Sequence, residues 1–443
     1  MAEIISEYDR NFVPKLNDPL KIRKWYKLDN AATIYSLVNS SKSPCLFRLS
    51  CTLKHRINIK DLQTALNRIM VRFPYFDVSL KKGIFWAYWE KNQNDPKIVA
   101  ETKYPCRRLP VYSRGVFPFR VKAYFNRIAI EIHHSLTDGT GGFIFLKALV
   151  AEYLHLRGIT PEDWGDIFRP NQVPDPEEFE YAYKRNYREK LPFPRAQGTA
   201  FKPPLTCEKS KKYHVTNGII SVKEILKVSR EKKVTITELL TSIYLDALQN
   251  ILYNLPFHQR KRHMKPIRIA VPVNLRNLYP TKTMRNFSYL VSTELNPKLG
   301  RYSFKEILNL VHHSIRKEVA TKNLTQNISR NVKVELFPLL RIIPLFLKRF
   351  LAKLLHEKMG ERLYSGKLSN IGKVSIPEAF AKEIDNFYFL FAPSSTINTG
   401  CSITSFGDNL NITFGRTIKE PEVEKYFFRK LVELGIHVRI ETN

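Results

Sequence analysis

The sequence predicts a mixed α/β fold built in two halves, and three observations carry that prediction. At 443 residues the chain exceeds the roughly 250–300 residues at which a single hydrophobic core stops growing. Between residues 127 and 158 an alternating strand, a glycine-rich turn and an apolar-striped helix follow one another. A second helix and strand, over about 235–273, lie beyond a proline-crowded stretch without periodicity. The composition agrees, since 43% hydrophobic and 26% charged residues exclude a disordered, collagen-like or fibrous chain.

In the first half, residues 45–100 alternate short β-rich runs with a helical stretch at Ile59–Phe73. The aromatic run Ile84-Phe85-Trp86-Ala87-Tyr88-Trp89 reads as a strand. In Arg127–His134 the two-residue period puts Ile128, Ile130, Ile132 and His134 on one face. His134 therefore ends an apolar row, and His133 points away from it. The turn from Ser135 to Gly142 leads into a helix with Phe143, Leu146, Leu149, Val150, Tyr153 and Leu154 on one side, ending at Gly158. Prolines crowd the next stretch, which places the boundary: a first half over 1–175, a crossover over 176–215 and a second half over 216–443.

The second half declares itself with Thr235-Ile236-Thr237-Glu238, a capping-box spelling that opens a helix to about Ile251. A strand at Ile267–Val273 leads into Asn274-Leu275-Arg276, and further strands are expected at Phe387–Ala392, Gly400–Phe406 and Leu410–Phe414. A last helix runs from about 421 to 434. Phe337–Met359 predicts a broad apolar helix, restarted at Pro344, with a narrow polar stripe of Arg341, Lys348, Lys353 and His356. Such a segment either packs into a core or lies on an anionic membrane as a peripheral contact.

Lysine and arginine outnumber aspartate and glutamate by 72 to 41, a net charge of +31 that calls for an anionic partner. No zinc-ligand spacing, RNP-like aromatic motif or helix-turn-helix signal accompanies the charge, which disfavours nucleic acid. The five cysteines are scattered and never form C-x-x-C, which argues against a disulfide framework or a metal knuckle and for a reducing cytoplasm. The first seven residues lack the basic and apolar regions of a signal peptide, and the charge-free run 386–407 is too rich in serine, threonine and asparagine to read as a membrane span. A cytoplasmic location is expected.

The chemistry concentrates in His133-His134-Ser135-Leu136-Thr137-Asp138-Gly139. At this composition such an H-H-x-x-x-D-G spelling arises by chance in about one chain of this length in two thousand. A histidine at a strand end on the apolar face projects its imidazole into a cleft, where it can accept a proton near neutral pH. An aspartate four residues on can fix the loop by pairing with a cation, and Gly139 tolerates backbone angles forbidden to a side chain. His312-His313 shares the doublet but sits in a helical pattern with no D-G after it and receives no function.

This motif resembles the signature of the CoA-dependent acyltransferase superfamily, which holds chloramphenicol acetyltransferase, peptide-synthetase condensation domains, and plant and alcohol acetyltransferases. Val271-Pro272-Val273-Asn274-Leu275-Arg276, followed by Asn286-Phe287, resembles the superfamily's second-domain arginine segment. Leu368-Ser369-Asn370-Ile371-Gly372 resembles its S-N-x-G strand, and Thr235 to Leu240 the opening of its second-domain helix. Leu28-Asp29-Asn30-Ala31-Ala32 is similar to a segment of bacterial alcohol-acetyltransferase-like proteins. The plant D-F-G-W-G is replaced by Ser405-Phe406-Gly407-Asp408-Asn409, which disfavours that branch.

The resemblance implies two similar chloramphenicol-acetyltransferase-like domains with a substrate channel between them. It implies His134 as general base, Asp138 and Arg276 as a structural ion pair, and His133 in a secondary, structural place. Ser394 or Ser395 would be the oxyanion donor. No bound cofactor or metal is implied. Acyl-CoA would be a co-substrate, and the acyl group, acetyl or another short chain, would pass to an alcohol or amine. Two rivals stand beside this reading: a condensation-type enzyme fed by an acidic carrier protein, and a catalytically silent member that binds lipid or protein.

Overall fold

A computed structural model of the chain describes residues 25–188, 191, 198–208, 212–337, 342–355, 361–394 and 396–443. The first half runs β1 (Trp25–Lys27), α1 (Asn30–Val38), β2 (Leu46–Leu53), α2 (Ile59–Arg72), β3 (Val78–Lys82), β4 (Ala87–Lys91), β5 (Ile98–Ala100), β6 (Phe119–Tyr124), β7 (Arg127–His133) and α3 (Gly139–Leu156). A largely irregular crossover carries the short α4 (Ala182–Arg185). Then follow β8 (His214–Ser221), α5 (Val222–Glu231), α6 (Ile236–Tyr253), α7 (Phe257–Arg262), β9 (Ile267–Asn274), β10 (Ser288–Leu295), α8 (Phe304–Val319) and α9 (Thr321–Leu336). The chain closes with α10 (Leu345–Leu355), β11 (Gly366–Lys373), α11 (Glu378–Ala381), β12 (Ile384–Phe391), β13 (Thr399–Phe406), β14 (Asn409–Arg416), α12 (Glu422–Glu433) and β15 (Arg439–Thr442).

Helix starts follow their capping chemistry. Asp138 caps α3 by accepting from the Gly141 N–H, and Thr235 and Glu238 form the reciprocal box that opens α6. The strands form a five-stranded sheet, β12-β2-β7-β6-β5, a seven-stranded sheet, β10-β9-β11-β13-β14-β8-β15, and a small β1-β4-β3 sheet. Both large sheets are mixed, with β5 parallel to β6 and β11 parallel to β9 and β13. Each has its own apolar core.

Among the described residues, one late strand joins the sheet built from the early ones. β12, from the second half, pairs antiparallel with β2, placing Phe391 opposite Phe47. Its apolar run is buried because its neighbours lie in both sheets. Several polar groups at this junction bond one another or the backbone: Asn411 Nδ2 donates to Asn386 Oδ1 at 2.7 Å, and Ser402 Oγ donates to the Phe389 carbonyl at 2.7 Å. The crossover is tied down as well. Arg72 makes a bidentate pair with Glu178 at 2.8 and 2.7 Å, and Met284 N–H donates to the Glu178 carbonyl.

The aromatic run is only half a strand. The β3–β4 pairing closes at Lys82 opposite Ala87, which forces residues 83–86 into the hairpin loop, with Gly83 N–H donating to the Trp86 carbonyl at 2.8 Å. Of the stripe expected over 337–359, Arg341, His356 and the Lys353 side chain lie outside the described residues, as do 338–340 and 357–359.

Candidate active site

β7 is held between β2 and β6, and its end is fixed by backbone bonds: His133 N–H donates to the Pro118 carbonyl at 2.7 Å and His134 N–H to the Cys45 carbonyl at 2.9 Å. The two histidines therefore face opposite ways. His133 is buried, its Nδ1 is 2.6 Å from the Ser135 hydroxyl and accepts from the Ser135 N–H, and burial pushes its pKa down to about 3. It remains neutral and braces the turn.

His134 lies between two rings. Tyr35, on α1, stacks on it with centroids 4.7 Å apart and planes 19° apart, and Phe47, on β2, lies tilted at 4.7 Å. Asn286 Nδ2 donates to its backbone carbonyl at 2.8 Å. Burial is the largest influence on its acidity and lowers it; the Lys367 ammonium lowers it further, whereas Asp138, Asn286 and the Thr137 backbone raise it. The outcome is a pKa of about 4, so the imidazole is neutral at physiological pH and able to accept a proton.

Asp138 uses both oxygens for construction. Oδ1 caps α3, while Oδ2 accepts from Arg276 Nη1 at 2.8 Å and from the Phe287 N–H at 2.8 Å. Arg276 also donates to the carbonyls of Thr283 and Arg285 at 3.0 and 2.6 Å and to Asn274 Oδ1 at 3.2 Å. Thr137 Oγ1 donates to the Met284 carbonyl at 2.5 Å. The turn after β7 is thus bolted to the segment between β9 and β10, which joins the two halves beside His134.

Gly139 differs from its expectation. It is the first residue of α3 and does not take up left-handed backbone; a Cβ there would meet only the Ile371 side chain, at 3.1 Å. The tight positions are the next two glycines. A Cβ on Gly141 would lie 2.8 Å from the Met284 carbonyl oxygen, and one on Gly142 would lie 2.8 Å from Phe47. Ser394 is buried, and its oxygen accepts the N–H groups of Thr396 and Ile397 at 3.2 and 3.0 Å, a local turn role. Ser395 lies outside the described residues. A cavity of about 220 Å³ opens between the large sheets, lined by Arg48, Ser50, Arg127, Asn217 and Tyr388 among others, and does not include His134.

The paired strands, the crossing β12 and this interdomain bolt settle the architecture. The fold is that of the condensation-domain and chloramphenicol-acetyltransferase-like acyltransferases. Polyketide synthase associated protein 5 from Mycobacterium tuberculosis superposes with a TM-score of 0.59 at 15% identity, over 92% of this chain and 97% of that one. The TRI3 trichothecene 15-O-acetyltransferase from Fusarium sporotrichioides gives 0.59 at 13%, over 92% and 94%. The wax ester synthase/diacylglycerol acyltransferase from Marinobacter aquaeolei VT8 gives 0.52 at 14%, over 92% and 98%. No family model and no curated protein matches the sequence.

Sequence reasoning missed Tyr35, Phe47 and Lys367 in this fold. Their signals were indirect. Asp29, in the Leu28–Ala32 segment, caps α1 by accepting from the Ala32 N–H at 2.7 Å and lies 3.4 Å from Arg285, which fixes the helix that delivers Tyr35. Lys367 precedes the Ser369–Gly372 segment on β11, with its ammonium 4.4 Å from the Phe391 ring centroid. Within that segment Asn370 accepts from the Gly372 N–H at 2.8 Å, holding a glycine whose φ of 88° a side chain would resist.

Proposed function

We propose that the protein is an acyltransferase in which His134 acts as general base, moving an acyl group from an acyl-CoA thioester to an alcohol or amine. The observation that carries this reading is the placement of His134 at the end of β7, against Tyr35 and Phe47, in a turn whose aspartate is consumed by Arg276, within a fold shared with acyltransferases. Asp138 builds the turn and His133 supports it, leaving the second histidine as the proton acceptor.

The chemistry balances without a covalent enzyme intermediate. The acceptor O–H or N–H bond breaks as oxygen or nitrogen attacks the thioester carbonyl, and its proton passes to the His134 imidazole. The tetrahedral intermediate then expels the thiolate by C–S cleavage, and the imidazolium returns the proton to sulfur, releasing free CoA and the ester or amide. Such base catalysis contributes about 10²–10⁴-fold, with positioning and oxyanion stabilisation adding to it.

The test follows free thiol release from a series of acyl-CoAs of increasing chain length with assorted alcohols and amines. Acceptor-dependent release is expected, and it should be lost in His134→Ala but largely retained in His133→Ala when both variants fold by circular dichroism. Equal defects in the two variants would remove the assignment of His134. Transfer only from an acylated carrier protein would replace the donor with that of the condensation-type reading.

A further inference from the structure

We propose that α10 and the β3–β4 turn form one docking surface for an anionic lipid bilayer. The helix is inside out. At 100° per residue Phe346, Leu347, Phe350, Leu351 and Leu354 share an arc of about 140°, and all five are exposed, Phe346 at 75% and Phe350 at 62%. The opposite side faces protein. There Leu345 is buried, Lys348 Nζ donates to the Phe85 carbonyl at 2.7 Å, and the Arg349 guanidinium lies 5.1 Å from the centroid of Tyr112. An amphipathic helix in water normally turns these faces the other way.

The turn extends the same surface. Leu345 N–H donates to the Ile84 carbonyl at 2.8 Å, so the start of α10 is fastened to the hairpin loop. Ile84 and Trp86 stand 76% and 55% exposed, and the Phe85 and Trp86 rings lie 6.2 Å apart. Two segments remote in sequence thus contribute one apolar face with an indole at its margin, the side chain favoured at a membrane–water boundary. Lysines border it: Lys81, which pairs with Glu90 at 3.2 Å, and Lys82 follow from β3, and Lys82 Nζ reaches the same Tyr112 ring as Arg349, at 5.1 Å.

Charge selects the occupant. A second copy of a chain with a net charge of +31 is repelled, whereas an anionic leaflet attracts it and accepts basic side chains at headgroup level. Among the described residues no helix is long and apolar enough to cross a membrane, so the fitting geometry is a helix lying in the interface plane. Placement adds a consequence that rests on the acyltransfer reading. α10 packs against α1, whose Tyr35 stacks on His134, so a docked bilayer lies one helix from the base and can deliver a long-chain alcohol or acyl donor.

The experiment is cosedimentation of the full chain with phosphatidylcholine vesicles, with and without phosphatidylglycerol, at low salt. Wild type should pellet with the phosphatidylglycerol vesicles and shift its tryptophan emission to the blue. The double variant Phe346→Glu/Phe350→Glu should bind about tenfold less, and Trp86→Ala should lose the emission shift. Wild type that stays in the supernatant overturns the proposal, as does a folded double variant that pellets like wild type. A wild-type dimer converted to monomer by the double variant in analytical ultracentrifugation would assign the face to a second copy and overturn it equally. For the substrate class, the double variant should lose turnover of a vesicle-borne long-chain alcohol and keep that of a water-soluble one. If wild type turns over neither alcohol, the acyltransfer reading fails while the vesicle result stands.

Discussion

α3 and α10 are both rich in leucine and phenylalanine, yet the molecule treats them oppositely. Nearly every residue of α3 from Gly141 to Leu154 is buried, because α2 covers one side and β2 and β7 the other. Of the described α10 side chains, Leu345 alone is buried. The difference teaches that apolar content states what a helix can bury, whereas the neighbours decide what it does bury. α3 carries the site's turn at its N-terminus and must be rigid. Among the described residues, α10 has protein on one side only.

The largest effects should fall on α3. Phe145 is fully buried, stacks on Phe76 with centroids 4.6 Å apart, and meets Phe73 edge-on at 5.0 Å. Phe145→Ala should cost about 3–5 kcal/mol by chemical denaturation, since little can collapse into the space. A loss below about 1 kcal/mol would mean that α3 is not the packed member of the comparison.

Asp138→Ala comes next and tests whether the turn before α3 is architecture. It strands Arg276, uncaps the helix and frees the Phe287 N–H, so stability should fall on the order of 3–5 kcal/mol together with activity. Lost activity with an unchanged melting temperature would instead give the carboxylate a chemical role.

The pH dependence is smaller and has a definite sign. His133 and His134 have folded pKa values, about 3 and about 4, below the ordinary 6.5. The unfolded chain therefore binds the extra protons as pH falls below about 6.5, so their contribution is complete above that value and is lost progressively toward pH 3–4. For a His134 base, kcat/KM should be flat through neutral pH and decline as pH falls through about 4. Lys367→Met removes a cation that holds the imidazole neutral and should move this acid limb to higher pH. A limb centred near 6.5 in wild type would contradict the lowered pKa of His134.

How much of this was readable from the chain depended on how local the cause was. β7, α3 and the Thr235–Glu238 box follow from periodicity and caps within a few residues, and each appears where the pattern puts it. The Asp138–Arg276 contact spans the chain and was reachable only through resemblance to a known pattern. Pairing partners were not readable: nothing local in 384–391 sends β12 to β2, and nothing in Ile84–Trp86 distinguishes a strand from the loop that the Lys82–Ala87 register demands. Tyr35 and Lys367 were missed for the same reason, because each meets the site only after a helix or strand from elsewhere docks.

The smallest expected effect sharpens the comparison most. Phe350 matches Phe145 in chemistry but stands 62% exposed on the outward arc of α10. Phe350→Ser removes a ring that contributes little to the interior of the isolated chain, and serine is only a modestly poorer helix former, so stability in buffer should change by no more than about 0.5 kcal/mol. Differential scanning fluorimetry of wild type and variant, with and without phosphatidylglycerol vesicles, reads the contrast directly. In buffer the two melting temperatures should coincide, and with vesicles they should separate, because binding to the folded state stabilises wild type in proportion to its affinity. A loss in buffer comparable to that of Phe145→Ala would show that α10 is already covered, and the two helices would then differ in degree only.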